Sequence, residues 1–225
     1  MAPRRKKDMP RREEFLAAAL ARLSKHGYSA TSTRDICADV GLVHSAIYNY
    51  FPSKEAVVLA IEERDMTAML SELNDIVEQT ATDPGRRLVA VVTYIFNQAT
   101  QRRSAWRLLA DMLRSISPQN RTVVVRRRDQ FQKIASDAIE NAIAAGLAGP
   151  SDVRMATLHL FGIAEGMSGW YRPGGPKPRE EIVRDAALFV LKAIGAKAKL
   201  LSLLDNPAAR EPKRSTRNTF RTGEA

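Results

Sequence analysis

The chain has 225 residues, 44% of them hydrophobic and 27% charged, enough apolar content for a core larger than one small module. A net charge of +10 points to nucleic-acid phosphates or an acidic surface as partner, and a single cysteine, Cys37, excludes a disulfide framework and a cysteine-rich zinc site. No apolar run reaches the roughly 20 residues a membrane-spanning helix needs, and no signal-peptide pattern follows the basic start, so a cytoplasmic protein with no membrane partner is expected.

The charge is concentrated at the ends. Residues 1–12 carry six Lys/Arg against Asp8, and residues 206–225 carry five against two acids. Segments 1–10 and 206–225 are expected to be basic disordered arms. Between them the sequence reads as helix throughout. A first helix is expected over about Arg11 to His26, with Phe15, Leu16, Ala19, Leu20 and Leu23 at helical spacing and Gly27 ending it. Thr31 or Ser32 caps a second, with Asp35 in its first turn, and Gly41 stops it. A short third helix follows over about Val43 to Tyr50, and Ser53 caps a long fourth through Val57, Val58 and Ile61. Asp83-Pro84 starts another helix, and Ser117-Pro118 reads as a cap followed by proline at the first helical position. Between them lies a short helix with Trp106, Leu109, Met112 and Leu113. Val123-Val124-Val125 is the best strand candidate, yet it sits inside a helical stretch. Two more helices are expected over about Asp152 to Tyr171 and Arg179 to Ile194, separated by Pro173-Gly174-Gly175-Pro176.

Three short helices with a glycine turn between the second and third form a helix-turn-helix pattern, whose third helix would enter the major groove of DNA. Its outward residues are Val43, His44, Ser45, Ala46 and Asn49; its inward residues are Ile47 and Tyr50. Asn49 and His44 suit base edges, and Ala46 suits a thymine methyl. Tyr48 and Lys54 suit phosphates, as does Thr33 with its hydroxyl and nearby backbone amides. Spacing alone also fits a small helical subdomain without a ligand.

The residues from Gly27-Tyr28-Ser29-Ala30-Thr31 through Ile36-Cys37, Gly41, Ile47-Tyr48, Tyr50-Phe51 and Lys54-Glu55 resemble the DNA-binding domain of TetR-family repressors over about Arg11 to Ile61. Cys37 stands where the family usually has alanine, Val43 where it has a capping serine, and His44-Ser45 where it commonly has Lys-Gly. The resemblance implies an all-α fold, with a helix-turn-helix domain at 11–55 and a helical ligand-binding and dimerisation domain at 56–205. It implies a homodimer, formed through the last two long helices, that is released from double-stranded operator DNA by a small-molecule effector.

In that second part, the helix at 152–171 is apolar around much of its girth and rich in small residues, with Gly162 and Gly166 on one face. The helix at 179–194 carries Ile182, Val183, Ala186, Ala187, Val190, Leu191 and Ile194. Both fit a four-helix dimer interface, or simply burial in a monomer core. On physical grounds, Trp170-Tyr171-Arg172-Pro173-Gly174-Gly175 reads as an interhelix turn with a tryptophan plug. The stretch also resembles a TetR subgroup that controls lipid and steroid catabolism and responds to acyl-coenzyme A thioesters. Such a ligand implies an apolar tunnel, for which Phe96, Trp106, Met112, Phe131 and Phe161 are the candidate walls, with Trp170 near the ligand. It also implies phosphate partners, drawn from Arg172, Arg102, Arg103, Arg107 and the Arg126–Arg128 run. For any single wall residue ordinary core is the commoner role, and for the arginine run a solvated face. His26, His44 and His159 have no metal spacing, no catalytic motif is present, and neither cofactor nor enzyme activity is expected. The alternative function is a constitutive DNA-binding dimer with no effector.

Overall fold

The computed structural model describes residues 9–48 and 50–205, leaving aside the side chains of residues 9–11, 46 and 110. Residues 1–8 of the expected arm, the expected tail 206–225 and Asn49 lie outside the described residues. The described chain is helical: α1 Met9–His26, α2 Thr33–Asp39, α3 His44–Ile47, α4 Lys54–Gln79, α5 Pro84–Gln101, α6 Arg103–Met112, α7 Pro118–Ala144, α8 Val153–Trp170, α9 Arg179–Ala193 and α10 Ala198–Leu201, then a 3-10 turn Ser202–Asp205. Val123–Val125 lie within α7. Side-chain caps start three of these helices, the one at Ser53 as expected. Ser53 Oγ accepts from the Ala56 amide, Asp83 Oδ1 from Arg86 and Asp152 Oδ1 from Met155.

The contacts divide the chain into two units, one of Met1–Thr67 with Arg102–Arg128, the other of Ala68–Gln101 with Asp129–Ala225. This differs from a cut after residue 55. The reason lies in the first unit's core. Phe15, Leu16 and Leu23 of α1, Ile36 and Cys37 of α2, Ile47 of α3 and Val57, Val58 and Ile61 of α4 share one buried cluster with Leu108, Met112, Ile116 and Val124. Three short helices bury too little surface alone, so residues of α6 and early α7 complete the core. Phe51 is buried and stacks on Phe15 with centroids 5.6 Å apart.

Polar contacts tie the same unit together. Glu55 Oε1 accepts from the Ser117 amide and from Asn120 Nδ2, each at 2.8 Å, and so caps α7. These bonds, the Asn120 side chain first, hold the Glu55 carboxyl below the usual range. Arg127 donates to Glu62 and, at 3.0 Å, to Glu63. Glu62 is buried, and burial pushes its carboxyl up against the pull of Arg127.

In the second unit α5 is the central element. Residues 88–96 are buried without interruption, so its apolar positions face neighbours all round, α8 and α9 among them. The Tyr94 hydroxyl lies 3.1 Å from Met69 O and 3.0 Å from Glu72 Oε2, and Gln98 Nε2 donates to the same Glu72 oxygen. The α7–α8 loop docks on the end of α9 through bonds from the Gly149 amide to Ile194 O and Gly195 O. Gly195 sits at φ +68°, and a Cβ there would lie 3.2 Å from the Gly149 nitrogen, so two glycines permit this approach.

Candidate nucleic-acid interface

The reading head is built from the turns outward. Gly27, at φ +83°, closes α1, and the buried Thr31 donates back to Gly27 O. Ser32 caps α2: its Oγ accepts from the Asp35 amide at 3.2 Å, while Asp35 Oδ2 accepts from the Ser32 amide at 2.8 Å. The bonds from Ser32 keep the Asp35 carboxyl below its ordinary value. Arg22 of α1 grips Asp39 at the far end of α2 with two bonds of 2.5 and 2.7 Å. Gly41, at φ +64°, turns the chain into α3.

α3 is shorter than the sequence suggests. Regular helix covers His44–Ile47, and the amides of Tyr50 and Phe51 then both bond to Ile47 O. This ends the helical register before residue 50. Ile47 is buried as expected, but Tyr50 is 36% exposed and Phe51 takes the inward place assigned to it. Val43 is 75% exposed and, lacking a side-chain acceptor, leaves α3 without the cap a serine would give. Ser45 is exposed and Tyr48 is 53% exposed, so both are open to a partner.

Two expected DNA contacts have partners within the protein. Lys54 Nζ donates to Tyr28 O at 2.7 Å and Thr31 O at 3.0 Å, and lies 4.1 Å from the Tyr28 ring centre. That leaves one of its three hydrogens for an outside acceptor. His44 is half-buried, with Nε2 3.0 Å from Thr33 Oγ1 and 3.4 Å from the Tyr48 hydroxyl. Its ring meets the Tyr48 ring edge-on at 5.2 Å. Thr33, Tyr48 and Lys54 share an open groove of about 530 Å³ lined also by residues 29–32, Asp35, Pro52 and Ser53. Thr33, His44, Tyr48 and Lys54 are therefore gathered in one place. Ala46 lies on α3 with its side chain outside the description, as is Asn49 entirely.

The candidate effector residues are divided between the units. Trp106 and Met112 belong to the first, where Met112 is part of the buried core. The Trp106 indole nitrogen is buried without a hydrogen-bond partner among the described residues. Phe96, Phe131 and Phe161 are buried in the second unit, with the rings of Phe131 and Phe161 edge-to-face at 5.6 Å. Trp170 is 57% exposed in the single chain, and Arg172 folds back on the end of α8, donating to Gly169 O and Tyr171 O. Arg127 departs from the expected solvated face because Glu62 and Glu63 hold it.

Sequence reasoning missed Phe189, which is 66% exposed on α9. Its spacing from Ile182, Ala186 and Ala193 was the available signal. These four form a partly exposed stripe at i, i+4, i+7 and i+11. On α8, Met155, Leu158, Gly162, Gly166, Gly169 and Trp170 form another exposed stripe, and a Cβ on any of the three glycines would meet nothing within 4 Å.

Comparison with known proteins agrees with this architecture. Residues 15–61 match the family described as bacterial regulatory proteins, tetR family, and residues 81–194 match the tetracyclin repressor-like C-terminal domain. The HTH-type transcriptional repressor KstR2 of Mycolicibacterium smegmatis is 27% identical over 187 residues, covering 82% of this chain and 90% of that protein. The structure of the ketosteroid transcriptional regulator KstR2 of Mycobacterium tuberculosis superposes with a TM-score of 0.75 at 26% identity, over 83% of this chain and 96% of that one. The fold is also that of AibR in complex with isovaleryl coenzyme A and operator DNA, with a TM-score of 0.72 at 20% identity over 83% and 100% of the two chains. No helix among the described residues is long and apolar enough to cross a membrane. With a helix-turn-helix reading head and a helical C-terminal part each matched to it, the chain belongs to the TetR family of transcriptional regulators, and is no enzyme.

Proposed function

We propose that this regulator is a repressor that grips a near-palindromic operator as a homodimer and releases it when a hydrophobic coenzyme A thioester binds within residues 56–205. The observation that carries the reading is the reading head: Thr33 starts α2, fixed by a capping box and an ion pair, Ser45 lies on α3 with Tyr48 just past its end, and Lys54 starts α4. Such fixed polar groups suit phosphate positioning, while the exposed Val43 and Ser45 suit base edges.

Dimerisation is supported by the two exposed stripes on the packed helices α8 and α9. Glycines leave the α8 stripe low enough for close helix approach, and Phe189 and Trp170 offer large apolar faces that an isologous four-helix interface would cover. The thioester class is supported by AibR, crystallised with isovaleryl coenzyme A, and a large hydrophobic effector by KstR2, a ketosteroid transcriptional regulator. On this reading the Phe131–Phe161 pair and the buried Phe96 rearrange around the acyl group.

The constitutive-dimer alternative has one observation in its favour, the close burial of those three rings. A thermal-shift and DNA-release assay with isovaleryl and longer acyl-coenzyme A thioesters, free coenzyme A and free acids separates the two. The effector reading expects thioesters to raise the melting temperature and displace operator DNA. Release by a neutral hydrophobic compound but by no thioester would overturn the coenzyme A assignment, and no shift with any compound would favour the constitutive dimer.

A further inference from the structure

We propose that His44 is a positioning residue of the DNA interface: its Nε2–H holds Thr33 Oγ1 and its ring braces Tyr48, so that both hydroxyls present their hydrogens to the phosphate backbone. The inference rests on the operator-binding reading above. In the sequence, His44 occupies an outward position of the third helix and suits a base edge. The structure gives its outer nitrogen other work. Nε2 lies 3.0 Å from Thr33 Oγ1 on α2 and 3.4 Å from the Tyr48 hydroxyl one turn later, with the tyrosine ring braced edge-on against the imidazole. Both hydroxyls border the open groove in the reading head.

A single imidazole nitrogen has one role at a time, donor or acceptor. With Nε2 bare, the two hydroxyls compete for one lone pair, and the hydroxyl that wins turns its hydrogen away from DNA. With Nε2 carrying hydrogen, it donates to the nearer oxygen, Thr33 Oγ1, whose own hydrogen is then free, as is that of Tyr48. A phosphate oxygen accepts and does not donate, so DNA binding selects the form with hydrogen on Nε2. His44 thus acts through its two neighbours without touching a base. The lysine common at this position in the family could reach a phosphate itself; here the contact passes to two hydroxyls.

The test is a set of dissociation constants for the intact dimer, measured at one salt concentration on a selected operator and on scrambled DNA of equal length. The variants are His44→Ala, His44→Gln, Thr33→Val, Tyr48→Phe and the double variants of His44→Ala with each of the last two. Phosphate contacts carry no sequence information. His44→Ala is therefore expected to weaken operator and scrambled DNA by the same factor, roughly tenfold. The double variants are expected to bind no worse than the weaker single variant within about twofold, because the partners act as a unit. His44→Gln, whose amide places an N–H at similar reach, is expected to recover most of the loss, which a general folding defect would not show. Loss confined to the operator, full additivity of His44→Ala with both hydroxyl variants, or no rescue by glutamine would overturn the proposal. Failure of the wild-type protein to select any DNA would instead overturn the operator-binding reading.

Discussion

The two units of this chain hold their shape in different ways. In the first, side chains are placed by named polar contacts: the Ser32–Asp35 box, Arg22 on Asp39, Lys54 on two carbonyls, and Glu55 on the start of α7. In the second, α5 is buried almost all round, and the neighbouring α8 and α9 leave apolar stripes open at the surface. A polar contact fixes both distance and direction, which a reading head needs if its groups are to meet phosphates and base edges. Apolar packing fixes volume and tolerates exchange of one residue for another of similar size, which suits a surface that meets its own copy or a pocket that varies. The difference explains why the first unit announces itself by motif and the second by periodicity alone.

The comparison breaks most sharply at the open stripe of the second unit. Phe189→Glu adds a charge where the dimer reading needs apolar cover. It should leave the monomer folded, since the side chain is already 66% exposed. Separating two linked reading heads removes an avidity of about 10²–10⁴. Sedimentation should therefore show monomers, and operator affinity should fall by at least about a hundredfold. Unchanged sedimentation and affinity would mean that α9 does not form the interface.

Next in size is Lys54→Ala in the first unit. It deletes two hydrogen bonds to backbone carbonyls and a cation–ring contact, a loss of about 1–2 kcal/mol in stability. Chemical denaturation measures that loss. A variant of undiminished stability whose DNA affinity alone fell would return Lys54 to a pure phosphate contact.

The smallest effect is electrostatic. Glu55→Gln keeps an acceptor at the start of α7 but removes its charge, for about 1 kcal/mol at neutral pH. The folded Glu55 carboxyl sits below its ordinary value because Asn120 and Ser117 bond to the ionised form. Its contribution is therefore complete above the ordinary carboxylate range and is lost as pH falls through the depressed folded value. The stability gap between wild type and variant should close on acidification. A gap independent of pH would show that the charge is not what Asn120 and Ser117 recognise.

Much of this was legible in the sequence, and the exceptions share a cause. The helix order followed from apolar spacing, and the caps at Ser32 and Ser53 followed from local residue type. The family followed from the run between Gly27 and Glu55. What escaped depends on contacts distant in the chain. Residues 102–128 join the reading-head unit because their buried side chains fill its core, which no local pattern states. Tyr50 and Phe51 exchange roles because α3 stops at Ile47, so a helical wheel drawn past that point assigns the wrong face. Lys54 and Arg127 look like free cations in sequence, and find carbonyl and carboxylate partners only in the fold. Trp170–Arg172 stand out in the sequence by residue type. Phe189 does not, because one aromatic in an apolar run looks like core, while in the fold it is exposed.

The central claim is that two copies of this chain read one twofold DNA site. It is tested most directly by selecting binding sites from randomised duplex DNA, footprinting the preferred site and weighing the complex by native mass spectrometry. The account expects an inverted repeat, protection of both half-sites one or more whole helical turns apart, and two protomers, or a multiple of two, on each duplex. A single protomer on one unrepeated half-site would contradict it.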